Sequence, residues 1–108
     1  MNLSASITPA STSNKILVFA CGGVFTATNG SLTLYRGSTN ILSSAGFIRL
    51  GNNQYSTFAV KYLDSPSTTS STTYAVYGKT GQQIQAPCQD GIDNAGITAM
   101  IILMEVKG

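Results

Sequence analysis

Residues 15–21 read KILVFAC, and this stretch decides the fold class. Its β-branched and aromatic side chains favour a strand. Apolar residues occupy consecutive positions, which is typical of a strand that is covered on both faces. We therefore expect residues 15–21 to form the central strand of a sheet. The Gly22-Gly23 pair that follows is expected to break or bulge this strand before Val24 and Phe25.

The flanking segments also follow the period of two that strands show. Leu3, Ala5 and Ile7 alternate with polar residues in an opening strand that is half buried. Further strands are expected at residues 31–37, 41–42, 47–50, 55–63, 73–79, 83–86 and 97–106. One side of the strand at 55–63 would carry Tyr55, Thr57, Ala59, Lys61 and Leu63. For residues 97–106 the pattern alone leaves a buried helix open as the alternative.

Turn signals separate these segments roughly every ten residues, a spacing typical of a sandwich or a barrel. Asn29-Gly30 predicts a two-residue hairpin, because both residues tolerate positive φ. The run 64–66, DSP, is expected to end the strand before it, and residues 51–54 and 87–96 are expected loops. No linker divides the chain. The sequence therefore predicts one all-β domain over residues 1–108, an antiparallel β-sandwich of about eight strands.

The composition removes most catalytic and metal chemistry. The chain has no His, so a catalytic triad with a His base is excluded. The carboxylates are Asp64, Asp90, Asp93 and Glu105, and their spacing does not match an EF-hand. No Ser lies in a GxSxG elbow, and GKT at 78–80 lacks the earlier glycine of a phosphate-binding loop. We therefore expect no enzyme activity, no cofactor and no metal site.

Charge and hydropathy also limit the partners. Charged residues make up 9% of the chain, against about 25% in an average domain, and 13 Ser and 13 Thr supply most of the polarity. The net charge is +2 and the cations are dispersed, so no nucleic-acid footprint is expected. The apolar runs at 16–21 and 99–104 are far shorter than the roughly 20 residues that span a membrane. The N-terminus lacks the features of a signal peptide, which predicts synthesis in the cytoplasm without export.

Cysteine and tyrosine leave alternatives open. Cys21 and Cys88 either form a disulfide that closes a long loop or remain two free thiols. The missing secretory signal favours free thiols. The five Tyr residues suit strand faces, although exposed aromatic rings also stack on sugars in binding proteins. We expect the strand-face role for them.

Three of the expected strands are apolar on both faces, as at residues 16–20, 74–77 and 99–104. A domain of this size buries only about two thirds of its chain surface, so one copy cannot cover every such face. Either loops of the same chain cover the outer faces, or the strands are simply central and modestly over-apolar, or, as we favour, a second copy covers these faces. The candidate oligomer-interface residues are Tyr74, Tyr77, Met100, Ile102 and Met104.

Four stretches carry a likeness that composition does not supply. They read SITPASTSNKILV at 6–18, LTLYRGSTNI at 32–41, YLDSPSTTSSTTYAVYGKT at 62–80 and ITAMIILMEV at 97–106. Together they resemble, in order over nearly the whole chain, a small module of tailed-bacteriophage virion proteins that occurs in capsid decoration proteins and tail-fibre tips. The resemblance implies a jelly-roll-like sandwich, commonly assembled as a homotrimer, without catalytic residues.

The resemblance implies two alternative functions. As a capsid decoration, or cement, protein the chain would sit in trimers on the capsid surface and stabilise capsomer joints, with the major capsid protein or another virion protein as its partner. As a tail-fibre or tail-knob tip it would bind a host glycan or protein receptor through loops 51–54 and 87–96. The chain starts almost directly with its first strand, without a fibre shaft, which favours the decoration protein. Either function places it on the virion surface.

Overall fold

Alternating inward and outward side chains organise this chain into two antiparallel sheets. The computed structural model describes residues 3–26, 30–42, 48–51, 54–79, 84–85 and 99–108. Seven strands of three residues or more and two of two residues form there, and no helix occurs in these ranges. The strands are β1 (Leu3–Ile7), β2 (Lys15–Thr26), β3 (Gly30–Arg36), β4 (Thr39–Asn40), β5 (Ile48–Leu50), β6 (Gln54–Asp64), β7 (Thr72–Lys79), β8 (Ile84–Gln85) and β9 (Ala99–Val106). The predicted antiparallel β-sandwich is confirmed, whereas the jelly-roll connectivity and the count of eight strands stay predictions.

Sheet A contains β1, β7, β3, β4 and β5. Its order is β1-β7-β3, and both β4 and β5 pair with β3 along its remaining edge. Sheet B is built around β2, which pairs with β6 along one edge. The other edge of β2 pairs first with β9, from Lys15 to Gly22, and then with β8 at Phe25 and Thr26. The predicted central position of residues 15–21 is thus confirmed.

The predicted break at Gly22-Gly23 is wrong. Strand β2 continues through both glycines, because β6 pairs with it without interruption from Ile16 to Thr26. Gly22 lies opposite Phe58, whose ring is buried in the core. A glycine leaves room for an aromatic ring on the neighbouring strand, so this residue accommodates the core ring instead of bending the strand.

The predicted hairpin at Asn29-Gly30 is also wrong, because the two strands that it would join do not pair. Strands β2 and β3, which flank it, lie in different sheets and do not pair with each other. Both edges of β2 are occupied by β6, β9 and β8, which leaves no edge for β3. The connection therefore carries the chain from sheet B to sheet A, and its residues 27–29 lie outside the described ranges.

The core lies between the inner faces of the two sheets. Alternation along β2 brings every second residue inward beside Phe58 of β6, and β3 and β7 of sheet A contribute the opposing side chains. The buried cluster consists of Ile16, Val18, Ala20, Leu32, Leu34, Phe58, Tyr74 and Val76. Residues 99–106 form a strand and not a helix, and Ile101 and Leu103 pack against this cluster from the inner side of β9.

A carboxylate at the end of β9 holds the connection between β1 and β2. Glu105 Oε2 accepts hydrogen bonds from the backbone N–H of Ala10 at 2.7 Å and from Asn14 Nδ2 at 2.6 Å. These bonds, that of Asn14 first, lower the pKa of Glu105 below its ordinary value. These hydrogen bonds attach the connection between β1 and β2 to β9 of sheet B.

Candidate functional site: the outer face of sheet B

The outer side of β9 carries a row of exposed apolar side chains. Met100, Ile102 and Met104 are 50%, 47% and 56% exposed. They point away from the core because the inward positions of β9 alternate with them. Antiparallel pairing sets them beside the outward residues of β2, which continue the apolar character onto the next strand.

The pairing register arranges this surface in three cross-strand rows. They run Leu63–Leu17–Met104, Lys61–Phe19–Ile102 and Ala59–Cys21–Met100 across β6, β2 and β9. We call these nine residues the apolar face. Eight of them are apolar and Lys61 is the one charged member, while Leu63 on β6 is 50% exposed. A sheet face in contact with water normally alternates apolar-in with polar-out, so this face departs from the pattern of a solvated surface.

The structure separates the five candidate interface residues. Met100, Ile102 and Met104 lie together on the apolar face. Tyr77 is exposed as well, but it belongs to β7 of sheet A and lies on the opposite side of the sandwich. Tyr74 is completely buried in the core and offers no surface to a second copy, so its assignment to an interface is corrected. Its side chain follows Val76 inward because the two residues share one face of β7.

Leu63, Leu17 and Phe19 are members of the face that sequence reasoning did not select. Leu17 and Phe19 lie in the apolar run of β2, but only the pairing register shows which of its residues turn outward beside Met104 and Ile102. Leu63 shares its side of β6 with Thr57 and Lys61, so the pattern on that strand looked ordinary. Leu63 lies two residues beyond Lys61 and so shares the outward side of β6. This position indicates a member of the apolar face only once β6 is known to pair with β2.

A second feature, a buried ionic network, joins the two sheets. Asp64 ends β6 in sheet B with 6% of its side chain exposed. Arg36 Nη1 donates to Asp64 Oδ1 at 2.6 Å and to Oδ2 at 2.7 Å. The Tyr74 hydroxyl donates to Oδ2 at 2.6 Å. Arg36 and Tyr74 are paired residues of β3 and β7, so one carboxylate connects sheet B to two strands of sheet A.

The network changes the acid–base properties of its donors. Burial and the hydrogen bond to Asp64 raise the pKa of the Tyr74 hydroxyl above its ordinary value of 10.0. The hydrogen bond to Asp64 likewise raises the pKa of the Arg36 guanidinium. The sequence places Asp64 in the run that ends a strand, whereas in the structure its carboxylate accepts hydrogen bonds between the two sheets.

Tyr74→Phe is expected to reduce the loss of stability at alkaline pH. The unfolded chain loses the tyrosine proton near pH 10.0 while the folded chain retains it. The contribution of Tyr74 is therefore complete below this pH and is lost as the pH rises above it. Urea unfolding at about pH 8 and about pH 11 measures the difference. The matched control is Tyr77→Phe, whose ring is exposed; an equal alkaline decline in both variants would contradict the expectation.

The described residues offer little other chemistry. They contain no group of three or more His, Cys, Asp or Glu side chains that could hold a metal ion. Cys21 is a free, partly buried thiol on the apolar face. Cys88, Asp90, Asp93 and most of the expected loops at 51–54 and 87–96 lie outside the described ranges. Within those ranges no helix is long and apolar enough to cross a membrane.

Comparison with known proteins adds no relative. No protein-family model, no curated protein and no solved structure matches this chain.

Proposed function

We propose that this chain is a structural protein of a bacteriophage particle, a capsid decoration protein that assembles with copies of itself and strengthens joints between capsomers. The observation that carries the proposal is the apolar face of sheet B. The resemblance of residues 6–18, 32–41, 62–80 and 97–106 to virion modules supplies the biological setting.

The apolar face supports assembly on energetic grounds. Soluble monomers rarely expose contiguous apolar surface beyond a few hundred Å² unless it binds something. Here the half-exposed side chains of Leu63, Met100, Ile102 and Met104 lie in adjoining rows, and no polar residue separates them along β9. Burial of such surface releases about 25 cal/mol for each Å² removed from water. A few side chains of this size therefore supply several kcal/mol toward association.

A second copy of the chain is the occupant that fits this face. Lys61 is its single charge, so the face has little with which to select a partner by charge complementarity. Hydrophobic contact is non-directional, and an apolar sheet face can pack against an identical face in a symmetric contact. The long stem of Lys61 can lie along the apolar surface while its ammonium group stays in water at the rim. The resemblance adds the expected number of copies, three.

A role without catalysis agrees with the chemistry of the described residues. The buried carboxylate of Asp64 accepts hydrogen bonds from Arg36 and from Tyr74 between the sheets. A particle protein that acts by buried contact area needs no reactive group. The remaining partner in this proposal is the major capsid protein, or another virion protein, beneath the assembled copies.

Sedimentation of the purified chain over a concentration series tests self-assembly. We expect a species of about three chains, each of 11.3 kDa, that dissociates on dilution. A mass of one chain at every concentration would contradict the role of the apolar face.

An image reconstruction of the particle tests the location. We expect density for this chain at capsomer joints in hundreds of copies. Particles lacking it should break at lower temperature while their adsorption to the host is unchanged. A few dozen copies at the tail, with adsorption lost in particles lacking the chain, would replace the decoration role with that of a receptor-binding tip.

A further inference from the structure

The outer face of sheet A carries a cavity that the assembly proposal does not use. Its volume is about 470 Å³, within the range of small-molecule sites. It lies on the side of the sandwich opposite the apolar face. Its described lining residues are Thr33, Tyr35, Gly37, Ser38, Tyr77 and Gly78.

Two tyrosines on neighbouring strands form its aromatic wall. In the register of β3 and β7, Tyr77 pairs with Thr33 and Tyr35 pairs with Ala75, so the two tyrosines are diagonal neighbours. Their ring centroids are 5.0 Å apart and the rings stand at 84° to each other. This edge-to-face arrangement is a favourable geometry for an aromatic pair, and it holds both rings in place before any ligand arrives.

The turn between β3 and β4 forms another side of the cavity. Gly37 adopts a φ of 59° there, and its N–H donates to the Thr73 carbonyl at 2.8 Å. The space above Gly37 is open, because a Cβ built on it would meet no atom within 4 Å. The turn therefore leaves the backbone accessible beside the tyrosine rings.

The polar groups of the described lining are neutral. The Thr33 side chain is buried at its floor, and its hydroxyl donates to Asn40 Oδ1 at 2.7 Å. The hydroxyls of Tyr35, Ser38 and Tyr77 make no hydrogen bond to other described residues, so each remains able to donate and to accept. No charged side chain belongs to the described lining.

We propose that this cavity binds a neutral pyranose sugar. A pyranose ring presents a face of C–H bonds and a rim of hydroxyls. The C–H face packs against an aromatic ring, whose face is electron-rich, and the hydroxyls pair with neutral donors and acceptors. The exposed Tyr77 ring supplies the packing surface, while Tyr35 and Ser38 supply hydroxyl partners at the edge. The site is independent of the assembly proposal, since its residues lie on the other sheet.

An NMR titration of the whole chain with the methyl glycosides of glucose, galactose and N-acetylglucosamine tests the site. At least one of these neutral sugars should bind in the millimolar range and shift the amide signals of residues 33–38 and 77–78. Tyr77→Ala should weaken that binding about tenfold or more, and Tyr35→Ala should do the same. Thr12→Ala, an exposed position in the connection between β1 and β2 and away from the cavity, is the matched control and should bind as the wild type does.

Three outcomes would overturn the proposal. They are the absence of binding by all three glycosides, shifts that Tyr77→Ala leaves unchanged in a folded chain, and, in parallel titrations with sialic acid and a proline-rich peptide, binding confined to either of these. Amide spectra of each variant without sugar report whether the fold is retained. Sedimentation of the same samples shows whether assembly persists, so failure of sugar binding is distinguished from failure of the proposed function.

Discussion

Arg36→Met is expected to lower the free energy of unfolding by about 3 kcal/mol. The substitution keeps an extended apolar stem but leaves Asp64 between the sheets with Tyr74 as its remaining donor within the network. Removal of one partner leaves a buried charge uncompensated, which lowers the free energy of unfolding by about 3 to 5 kcal/mol in other proteins. We expect a loss at the lower end of this range because the Arg36 side chain is 30% exposed and water reaches part of the network.

Urea unfolding at one fixed protein concentration measures this effect. Lys107→Met is the matched control, because Lys107 is an exposed cation at the end of the described chain and its removal should change stability by less than about 0.5 kcal/mol. Replacing the whole network, as Arg36→Met with Asp64→Leu and Tyr74→Phe, should recover most of the loss, since no buried polar group is then left without a partner. Equal stability of Arg36→Met and Lys107→Met would contradict the structural role of the network.

Ile102→Lys is expected to weaken self-association by about 100-fold or more, which corresponds to about 2.7 kcal/mol. Ile102 lies in the middle row of the apolar face, beside Phe19 and in line with Lys61. A second ammonium group in this row would have to be desolvated in the contact without a counter-charge. The fold should persist, because the Ile102 side chain already faces water in the single chain.

Sedimentation equilibrium of the variant gives the association constant directly. Ser4→Lys introduces the same charge at an exposed strand position on the outer side of sheet A and should leave association unchanged. If Ile102→Lys assembles as strongly as Ser4→Lys, the copies meet through a different surface and the apolar face is not the interface.

Alternation along single strands was predictable from the sequence. Leu3, Ala5 and Ile7 turn inward on β1, and β6 presents Thr57 and Lys61 to solvent, as their period of two indicates. The two apolar sides of β9 were also predicted, and Met100, Ile102 and Met104 are exposed on its outer side. These successes share one cause: the direction of a side chain within a strand depends only on its parity.

Contacts between strands were not predictable, since they depend on which strands share a sheet. Asn29-Gly30 carries the local signal of a hairpin, yet β2 already has partners on both edges. Tyr74 and Tyr77 differ in parity, but which side of β7 meets sheet B is decided by packing. Arg36 and Asp64 are separated by 28 positions, and no local pattern links them.

Strand β2 pairs along most of one edge with β9, a strand that is synthesised much later. Ala99, which pairs with Gly22, leaves the ribosome about 80 residues later, a delay of roughly 4 to 16 seconds at about 5 to 20 residues per second. During that delay the edge of β2 that β9 will cover has unpaired backbone N–H and C=O groups, and its side chains are apolar. Pairings so distant in sequence form slowly, because the chain must first close a large loop. We therefore expect newly made molecules to be prone to aggregation until β9 has been synthesised.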